Sequence, residues 1–478
     1  MRYLGLAIFL CLFTGAAWPP DGVPVCGQAG AQLEPALAQD GDGGAWVAWR
    51  DERSPATGPD IYARHVDKNG ATLGGAGGIP VCVATGAQTA PTIIPDGTGG
   101  CVIAWTDARN NLTGPDIFAQ RLDAVGHALW PPNGTGAMVT FGEQSAPRLL
   151  ADNFGHYLVA WQDARSGGGN FDIYVQRLDG EGLPAWNPVG LRLCGAAGHQ
   201  LRPALLDDGA NGFFVAWQDH RNGQDDDIYA QRLSVNALPL WAADGVPVCA
   251  APGDQQPAAT ANWLATDGAG GCYLAWTDRR DSARPAAFLQ RLQAGGARAT
   301  GWPLDGLAVC AAPGGQSEPG VVADGLSGAL VAWLDARGGA FDGCYAGRRT
   351  SAGAVYPGWP ADGLSLTTRP GIKSALALVP DGQRGARVAW VVGAAPGGDI
   401  DGQWVSTVGT RLGPAAGIPL CAAGGSQRGL ALAASTDGDA LLAWSDQRGY
   451  VATGADLYAH RFVGALGNLD AETPVAGF

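Results

Sequence analysis

The chain has 478 residues, with 75 Gly, 32 Pro and 17 Trp but only 2 Met and 15% charged residues. That balance is poor in the Lys, Glu and Leu on which surface helices depend, so it argues against a helical fold and for an all-β one. A formal net charge of −14 without any run of Lys or Arg argues against a surface that tracks nucleic-acid phosphates.

Residues 1–17, MRYLGLAIFLCLFTGAA, set one Arg before an apolar stretch from Leu4 to Phe13, followed by small residues suited to cleavage near Ala17. This is the layout of a secretory signal peptide, and no later segment holds the roughly 18 apolar residues of a bilayer span. The mature chain is therefore expected to be exported, to the periplasm, the cell surface or the medium, and to have no membrane span.

From there on the sequence repeats. An Ala-Trp pair closes an apolar run at Trp49, Trp105, Trp161, Trp217, Trp276, Trp333, Trp390 and Trp444, at gaps of 56, 56, 56, 59, 57, 57 and 54. Each unit offers four short strands. The first follows a Gln, as in QTAPTII from Gln88, and stops at a turn such as Asp96-Gly97. The second is CVIAW at Cys101 to Trp105, the third DIFAQRLD at Asp116 to Asp123, and the fourth DGVPVC at Asp244 to Cys249.

A β-solenoid would need shorter coils and separate sandwiches about 100 residues each. Four antiparallel strands in a unit of about 56 residues fit the blade of a β-propeller. The expectation is a single eight-bladed propeller over residues 18–466, with a C-terminal tail at 467–478. A fourth-strand element, WPPDGVPVC at Trp18 to Cys26, precedes the first unit, while the last unit stops after its third strand near Phe462. The N-terminal strand is thus expected to close the last blade, which removes open sheet edges.

DARSGGGNFDIYVQRLDGEG and the Asp-Gly turns resemble the TolB-type propeller repeat, over most of each unit, although the Ser-Pro of that family's turn is absent. The sialidase-type Asp box is not matched. The resemblance implies a propeller with an export-side, protein-binding habit, and no catalytic residue.

Two sets of residues recur as site candidates. The Trp-x-Asp-x-Arg loop holds Asp51/Arg53, Asp107/Arg109, Asp163/Arg165, Asp219/Arg221, Asp335/Arg337 and Asp446/Arg448, each followed by an Asp-Ile-Tyr type strand. A group repeated around a ring is not one asymmetric catalytic site, and Asp at a strand end with a forking Arg suits the fastening of a loop. The second set is the Gln before each first strand: Gln32, Gln88, Gln144, Gln200, Gln256, Gln316 and Gln427. With first strands innermost, these amides are expected at one mouth of the channel, with the varying Glu34, Arg202 and Glu318 two residues on as ligand contacts. Unit five, with Ala286-Ala287-Phe288 for Asp-Ile-Tyr, and unit seven, which lost both the Asp and the Arg, are read as drifted copies.

Of 10 Cys, six share one fourth-strand position: Cys26, Cys82, Cys194, Cys249, Cys310 and Cys421. Equivalent positions on neighbouring blades lie too far apart for a disulfide, so these read as small buried hydrophobes. No metal or cofactor motif is present, and neither DGDGG at Asp40 nor DDD at Asp225 forms a calcium loop. The reading is a monomeric, non-catalytic binding or scaffold protein whose loop-rich face takes a protein or carbohydrate ligand. The alternative is a propeller glycoside hydrolase, for which only Glu34 and Glu318 break the repeat suitably.

Overall fold

A computed structural model describes residues 18–463 apart from 111, 261, 394–397 and 450–453. The signal-peptide reading of residues 1–17 and the tail at 467–478 lie outside the described residues. Eight antiparallel sheets, each with four strand positions, stand in a ring as an eight-bladed β-propeller, and only blade five has its first strand split in two. Blade one shows the pattern: Gln32–Gln39, Ala45–Asp51, Asp60–Val66 and Ile79–Cys82, paired in that order. First strands meet first strands of the neighbouring blades all the way round, which places them innermost.

Burial explains why the apolar runs look as they do. A second strand lies between two other blades, so both faces are covered; in Cys101–Asp107 every residue is buried. The run is therefore continuously apolar where a half-exposed strand would alternate. Between blades one and two the core joins Trp46, Ile61 and Val81 to Ile93, Ile103 and Trp105. The same packing recurs at each seam.

The turn between first and second strands is built on one carboxylate. Asp96 Oδ1 accepts the N–H groups of Thr98 and Gly100 at 2.8 Å each, while Oδ2 accepts Arg121 of the third strand at 3.0 and 3.1 Å. Asp152 with Arg177, Asp208 with Arg232, Asp267 with Arg291 and Asp324 with Arg348 repeat it. Arg121, Arg232, Arg291 and Arg348 also donate to a carbonyl of the following blade, so one side chain pins a hairpin and a seam together. Sequence reading saw these Asp residues only as turn formers.

The ring closes through the N-terminal strand. Val23–Cys26 pairs with Asp456–Phe462, opposing Val23 to Ala459 and Pro24 to Tyr458. Arg448 Nη2 donates to the Asp21 carbonyl at 2.8 Å, which locks the junction from the other side. No helix among the described residues is long and apolar enough to cross a membrane.

Candidate functional site

The Asp-x-Arg loop is built the same way in seven blades. The Asp is at most 1% exposed in every copy. Its Oδ2 accepts the indole N–H of the Trp two residues earlier at 2.7–2.9 Å. Its Oδ1 accepts the Arg backbone N–H at 2.8–3.0 Å. In six copies the guanidinium forks onto the same carboxylate through Nε and Nη2, in the Asp446 copy Arg448 reaches it through Nη2 alone, and in all seven it lies 3.6–4.2 Å over the Tyr or Phe ring of the third strand. Carboxylate, guanidinium and ring are thereby consumed inside the loop. The seventh copy is Asp278 with Arg280, which the sequence reading passed over because its third strand lacks Asp-Ile-Tyr.

The cysteines belong to this device. Nη2 of Arg53, Arg109, Arg221, Arg280, Arg337 and Arg448 reaches the Sγ of Cys26, Cys82, Cys194, Cys249, Cys310 and Cys421, at 3.1–3.6 Å, across the seam from the preceding blade. Burial pushes the Cys82, Cys194 and Cys249 thiols up to about 12, so they stay protonated.

The amides of the second candidate set do not stand at an open mouth. Gln32, Gln88, Gln144, Gln200 and Gln427 are fully buried and Gln316 is 2% exposed. Each donates Nε2 to the carbonyl of a Gly two residues earlier, as Gln88 does to Gly86 at 2.9 Å and Gln144 to Gly142 at 2.8 Å. That Gly has φ near +90°, and at Gly86 a Cβ would meet the Ala108 carbonyl at 2.5 Å, so the turn requires glycine. In blade five the place is taken by Gln255, opposite Asp278, and not by Gln256, which is one residue further on and accepts Arg279 Nε at 3.2 Å. Blade seven has Lys373 there, its Nζ donating to the carbonyls of Arg369 and Asp342 at 2.7 and 3.0 Å.

Two residues after the Gln, or after Lys373 in blade seven, the first strand bulges in every blade but the fifth. Glu34, Ala90, Ala146, Arg202, Glu318 and Ala375 all have φ of 50–54°, and the pairing register shifts across them. The left-handed residue turns its N–H toward the preceding blade. Ala90 donates to Glu34 Oε2 at 2.7 Å, Arg202 to Gln162 Oε1 at 3.2 Å, and Glu318 to Thr277 Oγ1 at 3.0 Å. Glu34 is further held by Arg50 at 3.0 Å. Glu318 is half-buried, its Oε2 has no partner among the described residues, and burial raises its pKa. The two acids stand on blades one and six, with blades seven and eight between them on the shorter arc.

Symmetry breaks at three places. In blade seven Val392 stands where the Asp would be, and Arg369, from the loop before the first strand, pairs with Asp399 and Asp401. In blade five the change to Ala286 leaves a cavity of about 400 Å³, but its Arg280 and Arg284 are spent on Asp278 and Asp281. The third break lies in the channel. Four residues after the Gln, the inner strands carry Ala36, Thr92, Ala204, Gly320, Ala377 and Ala431, and in blade three the large Arg148. Blade five's inner strand is interrupted between Gln256 and Leu264, and the inserted loop reaches across the lumen. Thr260 Oγ1 donates to the Leu376 carbonyl of blade seven at 2.9 Å, and the Asn262 carbonyl accepts Val321 N–H of blade six at 2.7 Å.

Between this loop and blades three and four remains a cavity of about 210 Å³, lined by Arg148, Ala204, Leu205, Thr260, Asn262 and Trp263 among others. Arg148 is solvent-accessible there and, among the described residues, bonds only its neighbour's carbonyl, Pro147, at 3.0 Å. Enclosure, and then the Arg202 charge, lower its pKa. Among the described residues, neither Arg148 nor Arg202 has a carboxylate partner. The sequence reading named Arg202 but missed Arg148, and it recorded the insertion only as the long gap of 59.

No protein-family model matches the chain, and no curated protein does. Among solved structures, a protein of unknown function from Dyadobacter fermentans is 12% identical over 94% of this chain and 99% of its own, with a TM-score of 0.42. An ulvan lyase bound to an oligosaccharide is 10% identical over 80% and 93%, with a TM-score of 0.43. A Penicillium chrysogenum α-L-arabinanase complexed with arabinobiose is 11% identical over 66% and 93%, with a TM-score of 0.35. At these values none of them passes a residue role or a reaction to this chain.

Proposed function

We propose that the chain is an exported, TolB-like propeller that binds a ligand without transforming it, and that the ligand sits in the channel cavity between blades three, four and five. One observation carries this reading. The repeated polar groups are spent on the fold, whereas Arg148 and the blade-five loop are unrepeated and meet at a water-accessible cavity. Polar groups predominate on its walls, with Leu205 and Trp263 beside them, and convergent polar groups in an enclosed cavity are what orients a small ligand. Export rests on the signal-like pattern of residues 1–17, and fractionation of cells expressing the tagged chain tests it.

A second reading, a glycoside hydrolase, draws on Glu318. A half-buried carboxyl with a raised pKa and an unpartnered oxygen is what a general acid requires. That chemistry also needs a second carboxylate about 5–10 Å away across a bound sugar. The two readings part in one experiment: the purified protein is incubated with an oligosaccharide panel while calorimetry follows binding and reducing-end release follows cleavage. Binding without cleavage is expected. Cleavage that disappears in Glu318→Gln overturns the binding reading.

A further inference from the structure

We infer that the channel cavity holds an anionic group of its ligand, a carboxylate or sulfate, against Arg148, with Arg202 of the next blade adding positive charge from outside the lining; the inference rests on the proposed binding function and names its chemistry. The inner strands of a propeller converge, and at the waist this ring carries Ala, Thr or Gly in every blade aligned there except blade three. Arg148 is therefore an addition to the repeat. No packing demand shared by the other blades calls for it.

Its neighbour compounds the charge. Arg202 stands on the next blade, at the left-handed bulge two residues before Ala204, which lines the cavity. Gln162 accepts its backbone N–H at 3.2 Å, so the bulge is held and the side chain starts from a fixed point. Enclosure first, and the positive charge of Arg202 second, lower the pKa of Arg148, and among the described residues neither guanidinium has a carboxylate partner. Other arginines at strand ends and turns of this chain fork onto an Asp, as Arg165 does onto Asp163 and Arg177 onto Asp152. In a protein with formal net charge −14, a cavity-lining arginine without a carboxylate partner among the described residues is a selective feature.

Chemistry narrows the ligand further. A guanidinium presents a planar fork that matches the two oxygens of a carboxylate or the edge of a sulfate. Thr260 and Asn262 supply further polar groups on the facing loop, while Leu205 and Trp263 are apolar. About 210 Å³ is less than the roughly 300 Å³ at which drug-sized pockets begin, so one ring-sized unit fits there and the rest of a longer ligand would run toward the mouth. An acidic sugar unit and a free inorganic anion share this chemistry.

Calorimetry on the full chain separates them, with D-glucuronate, D-glucose and sodium sulfate as probes. Arg148→Ala, Arg202→Ala and Arg148→Lys are compared with Arg284→Ala, a cation 69% exposed on its side chain and away from the cavity. Thermal midpoints check that each variant folds. Glucuronate binding that weakens about tenfold or more in either channel Ala variant, that Lys restores only in part, and that Arg284→Ala leaves unchanged supports the inference. Sulfate binding as tightly as glucuronate assigns the site to free anions, and tighter glucuronate assigns it to an acidic sugar. If neither anion binds, or if binding is indifferent to both channel arginines, the inference falls. Neutral oligosaccharides that still bind would then leave the binding reading standing, and failure of the whole panel would remove both.

Discussion

At Asp227, the first residue of its strand in blade four, the carboxyl is 2% exposed and faces the charges of Asp225 and Asp219; burial first, and these neighbours second, push its pKa up to about 7. In the unfolded chain the same carboxyl titrates near its ordinary value, so between the two the native state holds a proton that the unfolded state has lost. This group's contribution to stability is full below the ordinary carboxylate range and fades as pH rises through about 7. His460 in blade eight works the other way. Burial lowers its imidazole from 6.5 to about 4, so the unfolded chain takes up the proton first and stability falls as pH drops from 6.5 toward 4. Thermal midpoints of the native chain, Asp227→Asn and His460→Gln, measured from pH 4 to 8, should separate the two. The Asn variant flattens the decline toward pH 8, and the Gln variant flattens the decline toward pH 4.

The loop of Asp163 and Arg165 shows what sequence can and cannot disclose about an element. Its spacing and recurrence were plain, and so was the pairing of acid with base. The Trp161 indole, the stacked Tyr174 ring and, in the sister copies, the thiol from the preceding blade were not, because those partners converge only when strands and blades are assembled. Asp163→Ala strips the indole, one backbone N–H and a guanidinium of their acceptor at once. A loss of about 3–5 kcal/mol in urea unfolding is expected, in the range for breaking a buried ion pair. The Gln set was legible as a repeat, but its partners were not: the glycine turn before each strand bends its carbonyls back onto the buried amides. Arg148 escaped notice because the bulge inserts one residue, after which positions two and four past the Gln no longer obey a simple alternation.

At the scale of the molecule, the ring, its eight blades and its closing strand were legible, since a Trp at constant spacing in an apolar run leaves few architectures open. The filling of the channel was not: three extra residues in unit five look the same in sequence whether they lengthen an outer loop or cross the lumen. The thiol row tests the assembled ring. All nine cysteines among the described residues are buried and unpaired. A thiol reagent should therefore modify none of them in the native protein and all of them in denaturant, in one step that follows loss of the tertiary signal. Partial modification under native conditions would mean that a seam opens on its own.

The closing strand has a consequence for how the chain is made. Val23–Cys26 leaves the ribosome ahead of every complete blade, yet its partner Asp456–Phe462 is more than 400 residues downstream. While the blades between them are made the segment waits as an unpaired edge, and the seam it completes forms last. Pro24 stands in the middle of that segment, where it withholds the N–H that a stray strand would need. Pro80, Pro247 and Pro419 hold the same place in other outer strands. The residue that keeps finished blades from stacking edge to edge also keeps the first-made strand available until the last blade arrives.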